Sequence, residues 1–218
     1  IRVFMPKFGC INERRHQLHE VIRLSGMNLI VDDNDHPLII KVASIPAGRM
    51  QVYFIDNEEY FQRKAVHADK EGKFFEDNDE RAMFFCKGVL ETVKKLGWTP
   101  DIIHCHGWMA GILPMYLKKV YHNDPHFSES KVVFSAFGDD HKEALDAKLV
   151  DKLKFDGLEE GDVSTLKDAN IEALYKFGME YADAVVLGDE AAENTFGEYC
   201  EKLQKTVVSP GIEEHFTA

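Results

Sequence analysis

The chain is short of several things, and each shortage closes off a class of function. No run of apolar residues approaches the ~20 needed to cross a bilayer, so no membrane-spanning helix is expected. Basic charge is scarce: 26 lysines and arginines stand against 38 aspartates and glutamates, scattered among them, for a formal charge of −12. A nucleic-acid partner, which needs a concentrated cationic face, is therefore not expected. Cysteine is sparse, and Cys10, Cys86, Cys105 and Cys200 form no Cys-x-x-Cys pair. That spacing argues against a disulfide framework and for a reduced, cytoplasmic setting. The opening residues 1–6 carry none of the basic, apolar and small-residue parts of a secretory signal. A phosphate-cradling glycine loop of the G-x-G-x-x-G kind is missing as well.

What is there reads as a globular α/β chain. The 218 residues are enough for one sizeable domain, and residues 1–218 are expected to form a single Rossmann-like one. Residues 1–5 read as a strand that starts abruptly, as a fragment would. Two apolar runs, 19–32 and 37–45, flank the turn-forming cluster Asp33-Asn34-Asp35-His36 and predict an antiparallel hairpin. Residues 50–55 form a further strand, and 56–61 a turn or short helix. The clearest helix starts at Asp77-Asn78-Asp79-Glu80. Either Asp77 or Asn78 can cap it, Ala82, Phe85, Cys86, Val89, Val93 and Leu96 recur at helical spacing, and Gly97 can end it.

Beyond it, strands at 101–106, 131–137, 184–187 and 206–208 alternate with helices at 108–121, 171–181 and 190–203. Pro114 predicts a kink in the first of these helices. This βαβ pattern predicts a mostly parallel sheet with helices on both faces, with the hairpin as an antiparallel addition. Residues 139–170 give only helical fragments among charges.

Residues 101–108, Asp-Ile-Ile-His-Cys-His-Gly-Trp, carry the most chemistry. On a strand, Ile102, His104 and His106 share one face, with Ile103 and Cys105 on the other. Two imidazoles at the end of a strand need a polar partner there, and strand ends are where open α/β sheets bind ligands. A zinc site would need a third ligand from another strand end. The sequence nominates none, so no metal is expected.

With these motifs placed, the chain resembles the N-terminal catalytic-region domain of bacterial glycogen synthases and plant starch synthases. Residues 52–63, Val-Tyr-Phe-Ile-Asp-Asn-Glu-Glu-Tyr-Phe-Gln-Arg, are similar to the family's YFIDN-x-x-YF-x-R segment. Asp77-Asn78-Asp79-Glu80-Arg81 with Phe84-Phe85 is similar to its helix start. Residues 101–108, with Pro114 and Tyr116-Leu117-Lys118 downstream, are similar to its D-x-x-H-x-HDW strand and helix.

The resemblance implies one half of a GT-B fold. In the complete enzyme the activity would be transfer of glucose from a nucleotide sugar such as ADP-glucose to an α-1,4-glucan acceptor, with no cofactor beyond that donor. By position, His106 would be the catalytic contact beside the transferred sugar. His104, Trp108, Asp77 and Asn78 are the substrate-binding candidates. The resemblance also implies that Trp108 supports the helix start. The residues alone read His104 as a hydrogen-bonded core histidine, Gly107-Trp108 as a helix opening and Asp77-Asn78 as a cap.

The departures matter too. The family's first strand, with its KTGGL loop, and its donor-binding second domain have no counterpart here. Gly107 stands where the family has Asp. Ala136-Phe137-Gly138-Asp139-Asp140 replaces a His-Asn pair. The isolated chain is therefore expected to be inactive. The alternative reading is a non-catalytic glucan-binding or interaction module built on the same scaffold, and a flavodoxin-like protein of another family ranks behind both.

Overall fold

The computed structural model describes residues 1–138 and 143–210. The chain divides into two compact units, Ile1–Trp98 and Thr99–Ala218. From residue 50 onward strands alternate with helices, after four strands with no α-helix between them. The first unit holds a mixed sheet and the second an all-parallel one.

In the first unit, β1 (Arg2–Pro6) runs parallel to β5 (Met50–Asp56). Strand β5 pairs antiparallel with β4 (Asn34–Ile45), which also carries β2 (His19–Glu20) and β3 (Met27–Val31). Period-two patterning explains β4: His36, Leu38, Ile40 and Val42 are buried while the residues between them are not.

The hairpin is tighter than the sequence suggests. Its turn is Asp32-Asp33, both left-handed at φ 46° and 63°, the two-residue geometry whose twist matches paired strands. Asn34 and Asp35 already pair with Val31 and Ile30. His36, expected in the turn, is buried opposite Leu29. The apolar run before the turn is also shorter than expected. Gly26 at φ 82° interrupts it, and the Ser25 hydroxyl accepts from the Ile40 amide at 3.0 Å.

Helix α1 (Glu58–Phe61) starts where Asn57 Oδ1 accepts from the amides of Glu59 and Tyr60 at 2.9 and 3.1 Å. Helix α2 (Asn78–Lys95) packs on the sheet with its first half buried nearly all round. Gly88 permits that approach, since a Cβ there would lie 2.7 Å from Ile55 Cγ2. Asp77 holds the cap position of α2 but makes no capping bond, because its carboxylate is engaged elsewhere.

The second unit's sheet runs β6 (Ile102–His106), β7 (Lys131–Ala136), β8 (Ala184–Leu187), β9 (Thr206–Val208), with β6 at one edge. The expected helix after β6 is broken into a turn at Trp108–Ala110, the short α3 (Leu113–Met115) and a wide turn over Tyr116–Val120. In that wide turn the Tyr121 amide reaches the Tyr116 carbonyl at 2.8 Å, five residues back. Pro114 accounts for a break here, because its ring removes one backbone donor and crowds the preceding turn.

Within residues 143–170 lie α4 (Leu149–Phe155) and a turn at Ser164–Leu166. Helices α5 (Ile171–Tyr181) and α6 (Glu190–Lys202) follow, capped by Asn170 and Asp189. Helix α5 seats on β7 through Gly178, where a Cβ would lie 2.6 Å from Phe134. Lys205 bonds the carbonyls of Met179, Glu180 and Ala182, tying the chain before β9 to the negative end of α5. Among the described residues, no helix is long and apolar enough to cross a membrane.

Candidate functional site

The alternation expected along β6 is what the backbone delivers. Ile102, His104 and His106 share an exposed face, and Cys105 on the other side is buried. Burial pushes the Cys105 thiol up to about 12, so it remains a neutral core group. His104 and His106 come together with ring centroids 4.0 Å apart. The His104 Nε2 lies 2.7 Å from the buried Ser135 hydroxyl on β7. His106 also stacks against Phe137, 6.2 Å away and 20° from parallel.

Burial holds both imidazoles below their ordinary pKa of 6.5, and for His104 the neighbouring His106 lowers it further. The result is a pair of neutral rings at the carboxyl end of a parallel strand, exposed enough to meet a ligand. A neutral imidazole there can donate or accept a hydrogen bond to a sugar hydroxyl.

The next residue explains one departure from the family pattern. Gly107 sits at φ 71°, ψ 173°, a region open essentially to glycine alone, and its amide donates to the Ser135 carbonyl at 3.0 Å. An aspartate would be strained at this turn. Trp108 is 3% exposed and opens the turn that follows. Of the replaced His-Asn segment, Ala136, Phe137 and Gly138 are described, whereas Asp139 and Asp140 lie outside the described residues. Gly138 donates its amide to both oxygens of Asp189, the α6 cap, at 3.0 and 3.1 Å.

The other candidates belong to the first unit. Asp77 is gripped in a two-pronged ion pair by Arg63, at 2.8 and 2.5 Å. Arg63 also lies over the Phe75 ring at 4.3 Å. Asn78 is fully buried, with Oδ1 2.5 Å from the Arg81 guanidinium and its amide donating to the His67 carbonyl at 2.8 Å. Both ends of Asn78 are therefore committed to the protein.

Arg81 itself is 0% exposed, donates to the Tyr60 carbonyl at 2.8 Å and is surrounded by Phe8, Phe61 and Phe75. Burial, and next the Arg63 charge, bring its pKa down to about 10. Beside this cluster, Arg63, Lys73, Phe74, Phe75, Glu76 and Asp77 help line an open recess of about 320 Å³. Aromatic faces with charged edges suit a polyhydroxylated ligand.

Sequence reasoning left Arg63, Arg81, Tyr60 and Ser135 out of the candidates. Arg63, Tyr60 and Arg81 sit inside the motifs already quoted, so the signal was present. Ser135 had none, since only β6–β7 pairing brings it to His104. Among the described residues, no three or more His, Cys, Asp or Glu side chains are grouped so as to hold a metal ion.

Comparison with known proteins bears on this arrangement. The glycogen synthase of Chlorobium limicola is 42% identical over 185 residues, 84% of this chain and 37% of the relative. That of Chlorobium phaeobacteroides is 35% identical over 205 residues, 90% of this chain and 41% of the relative. The chain thus spans a little over a third of the length of the curated relatives it matches. Among solved structures, the catalytic domain of starch synthase IV from Arabidopsis thaliana, bound to ADP and acarbose, superposes with a TM-score of 0.74 over 95% of this chain and 43% of the other. The two are only 15% identical, so the likeness speaks to the fold. A family model for the starch synthase catalytic domain matches residues 1–204, and with nearly the whole chain inside that match, the chain belongs to the starch synthase catalytic-domain family.

Proposed function

We propose that this chain is part of a glycogen- or starch-synthase-type glycosyltransferase, and that the complete protein transfers glucose from a nucleotide sugar to an α-1,4-glucan. The observation that carries the reading is the exposed, neutral His106 at the carboxyl end of β6, within a chain whose family membership spans residues 1–204. In this reading His106 bonds the transferred glucose, and His104 stands behind it. The first unit holds acceptor glucan along the Phe74–Phe75 recess, with Asp77 as a hydrogen-bonding edge. Asn78 and Trp108, both buried, act by holding backbone rather than by touching sugar.

The whole serves as the acceptor-side Rossmann-like region of a cytoplasmic enzyme. The donor sugar nucleotide is a substrate, and neither cofactor nor metal is invoked. Neither nucleic acid nor membrane is a partner in this reading, in keeping with the charge of −12.

The test uses the complete open reading frame that encodes this chain. Labelled glucose should pass from ADP-glucose to a maltooligosaccharide, and His106→Ala should lower kcat/KM by about 10²-fold or more, the scale on which a lost transition-state contact is felt. Binding of maltooligosaccharide without any transfer would favour the glucan-binding module instead. Neither binding nor transfer would end the reading.

A further inference from the structure

Three side chains and one bare backbone position around His106 form a single construction. Ser135, buried on β7, presents its hydroxyl to His104 Nε2 at 2.7 Å. The His104 ring lies 4.0 Å from His106 at a tilt of 34°. His106 in turn lies 6.2 Å from Phe137 at 20°. Phe137 is seated on Gly188, the residue after β8, where an added Cβ would come within 2.4 Å of the Phe137 ring. The three rings thus form a row closed at one end by a buried hydroxyl and at the other by backbone that only a glycine leaves open. We propose that this row exists to orient His106, making His104 and Phe137 positioning residues and Ser135 and Gly188 its two end stops.

The physical argument is one of freedom. An exposed imidazole on a strand end samples several rotamers, and holding a group in its productive geometry is a principal source of rate. Two ring neighbours, His104 and Phe137, restrict that freedom without adding charge. The row needs an aromatic ring at position 137 and a residue without a side chain at 188. Both come from different strand ends of one parallel sheet, which explains why neither stands out in the sequence. The lowered pKa of both imidazoles agrees with a row that keeps its members neutral. This inference rests on the reading of His106 as the sugar-facing residue.

The test needs no ligand, so its failure is separable from a failure of the transfer assay. Long-range ¹H–¹⁵N spectra of the 218-residue chain report the tautomer and titration of the His106 ring. In the parent chain, His106 should show one dominant tautomer and titrate below 6.5. Gly188→Ala touches neither imidazole but displaces Phe137. It should raise the His106 midpoint toward its ordinary value and mix the tautomers. His104→Gln should do the same, while His104→Phe, which keeps a ring in the row, should restore the parent behaviour. Backbone amide shifts of β7 and β8 check that each variant is folded, and Ser135→Ala supplies a further variant should Gly188→Ala fail to fold. A His106 tautomer and midpoint unchanged in Gly188→Ala and His104→Gln, or in Ser135→Ala and His104→Gln, overturns the proposal.

Discussion

The two units treat polar groups in opposite ways. In the first, eight polar or charged residues are buried: Lys7, His36, Asp56, Asn57, Asn78, Asp79, Arg81 and Thr92. In the second, only Ser130, Ser135 and Lys152 are, among the described residues. One of the first set, His36, anchors a polar chain. Glu59 meets His36 at 2.8 Å, His36 meets the Tyr60 hydroxyl at 3.0 Å, and that hydroxyl donates to Glu80 at 3.0 Å, joining β4, α1 and α2. The second unit instead relies on apolar closure, with Phe134, Leu174, Phe177 and Val185 all 0% exposed, and keeps its ionisable site residues at the surface.

Buried polar networks fix geometry, whereas apolar cores supply stability at lower specificity. One unit is built to hold backbone and loops in a set shape. The other is built to hold a sheet whose edge carries the chemistry.

That contrast is open to breaking, most forcefully in the apolar unit. Phe134→Ala removes a fully buried ring that Tyr175 meets edge-on at 6.2 Å and on which Gly178 is seated. It should cost about 3–5 kcal/mol. Native-state hydrogen exchange read amide by amide should show that loss in α5, with a smaller loss in α2. An equal loss in both helices would mean the two cores respond as one, and the contrast between them would fall.

The polar unit is probed by Arg81→Met, which keeps the volume and deletes the guanidinium. If the bonds to the Tyr60 carbonyl and Asn78 Oδ1 matter as argued, the buried oxygen left behind costs about 1–3 kcal/mol, and the α2 amides should lose protection first. An apolar replacement of a buried charge can instead be neutral or stabilising. A change below about 0.5 kcal/mol would place Arg81 in that class and remove the argument that this unit depends on its polar links.

How far these features could be read in the sequence follows from their range. Elements governed by local chemistry came through. The helix from Asn78, the break near Pro114, β6 with its alternating faces, and α5, β8 and α6 all follow from periodicity, caps and breakers. Where a distant residue decides the outcome, local reading failed. His36 looked like a turn residue because it follows Asp33-Asn34-Asp35, yet Glu59 and Tyr60 draw it into the core. Asp77 looked like a helix cap, and Arg63 takes its carboxylate away from that task. Gly107 read as an absent carboxylate, and the chain does lack one there; that its backbone sits at φ 71° and ψ 173°, a region open essentially to glycine, is visible only in the structure. The site was legible as far as one strand carries it, and its partners on β7 and after β8 were not.

The smallest expected effect is a pH dependence that separates the units by their titrating groups. His104 and His106 bind protons less readily folded than the ordinary 6.5, because burial penalises the charged ring. As pH falls through 6.5 the unfolded chain therefore takes up protons first. Their contribution to stability is complete above 6.5 and lost progressively as pH drops toward the folded-state values. In the first unit, Glu13 is held below its ordinary 4.5 by bonds to Lys41 and Lys7. Its contribution persists until the pH falls below 4.5. Between 6.5 and 4.5 the His pair should thus soften the second unit, while the Glu13 bridge leaves the first intact. The thermal midpoint should fall across that interval in the parent chain, and fall less in a His104→Gln, His106→Gln double variant. An identical pH slope in both would show that the exposed rings titrate as they do in the unfolded chain, and would remove partial burial as the reason His106 is neutral.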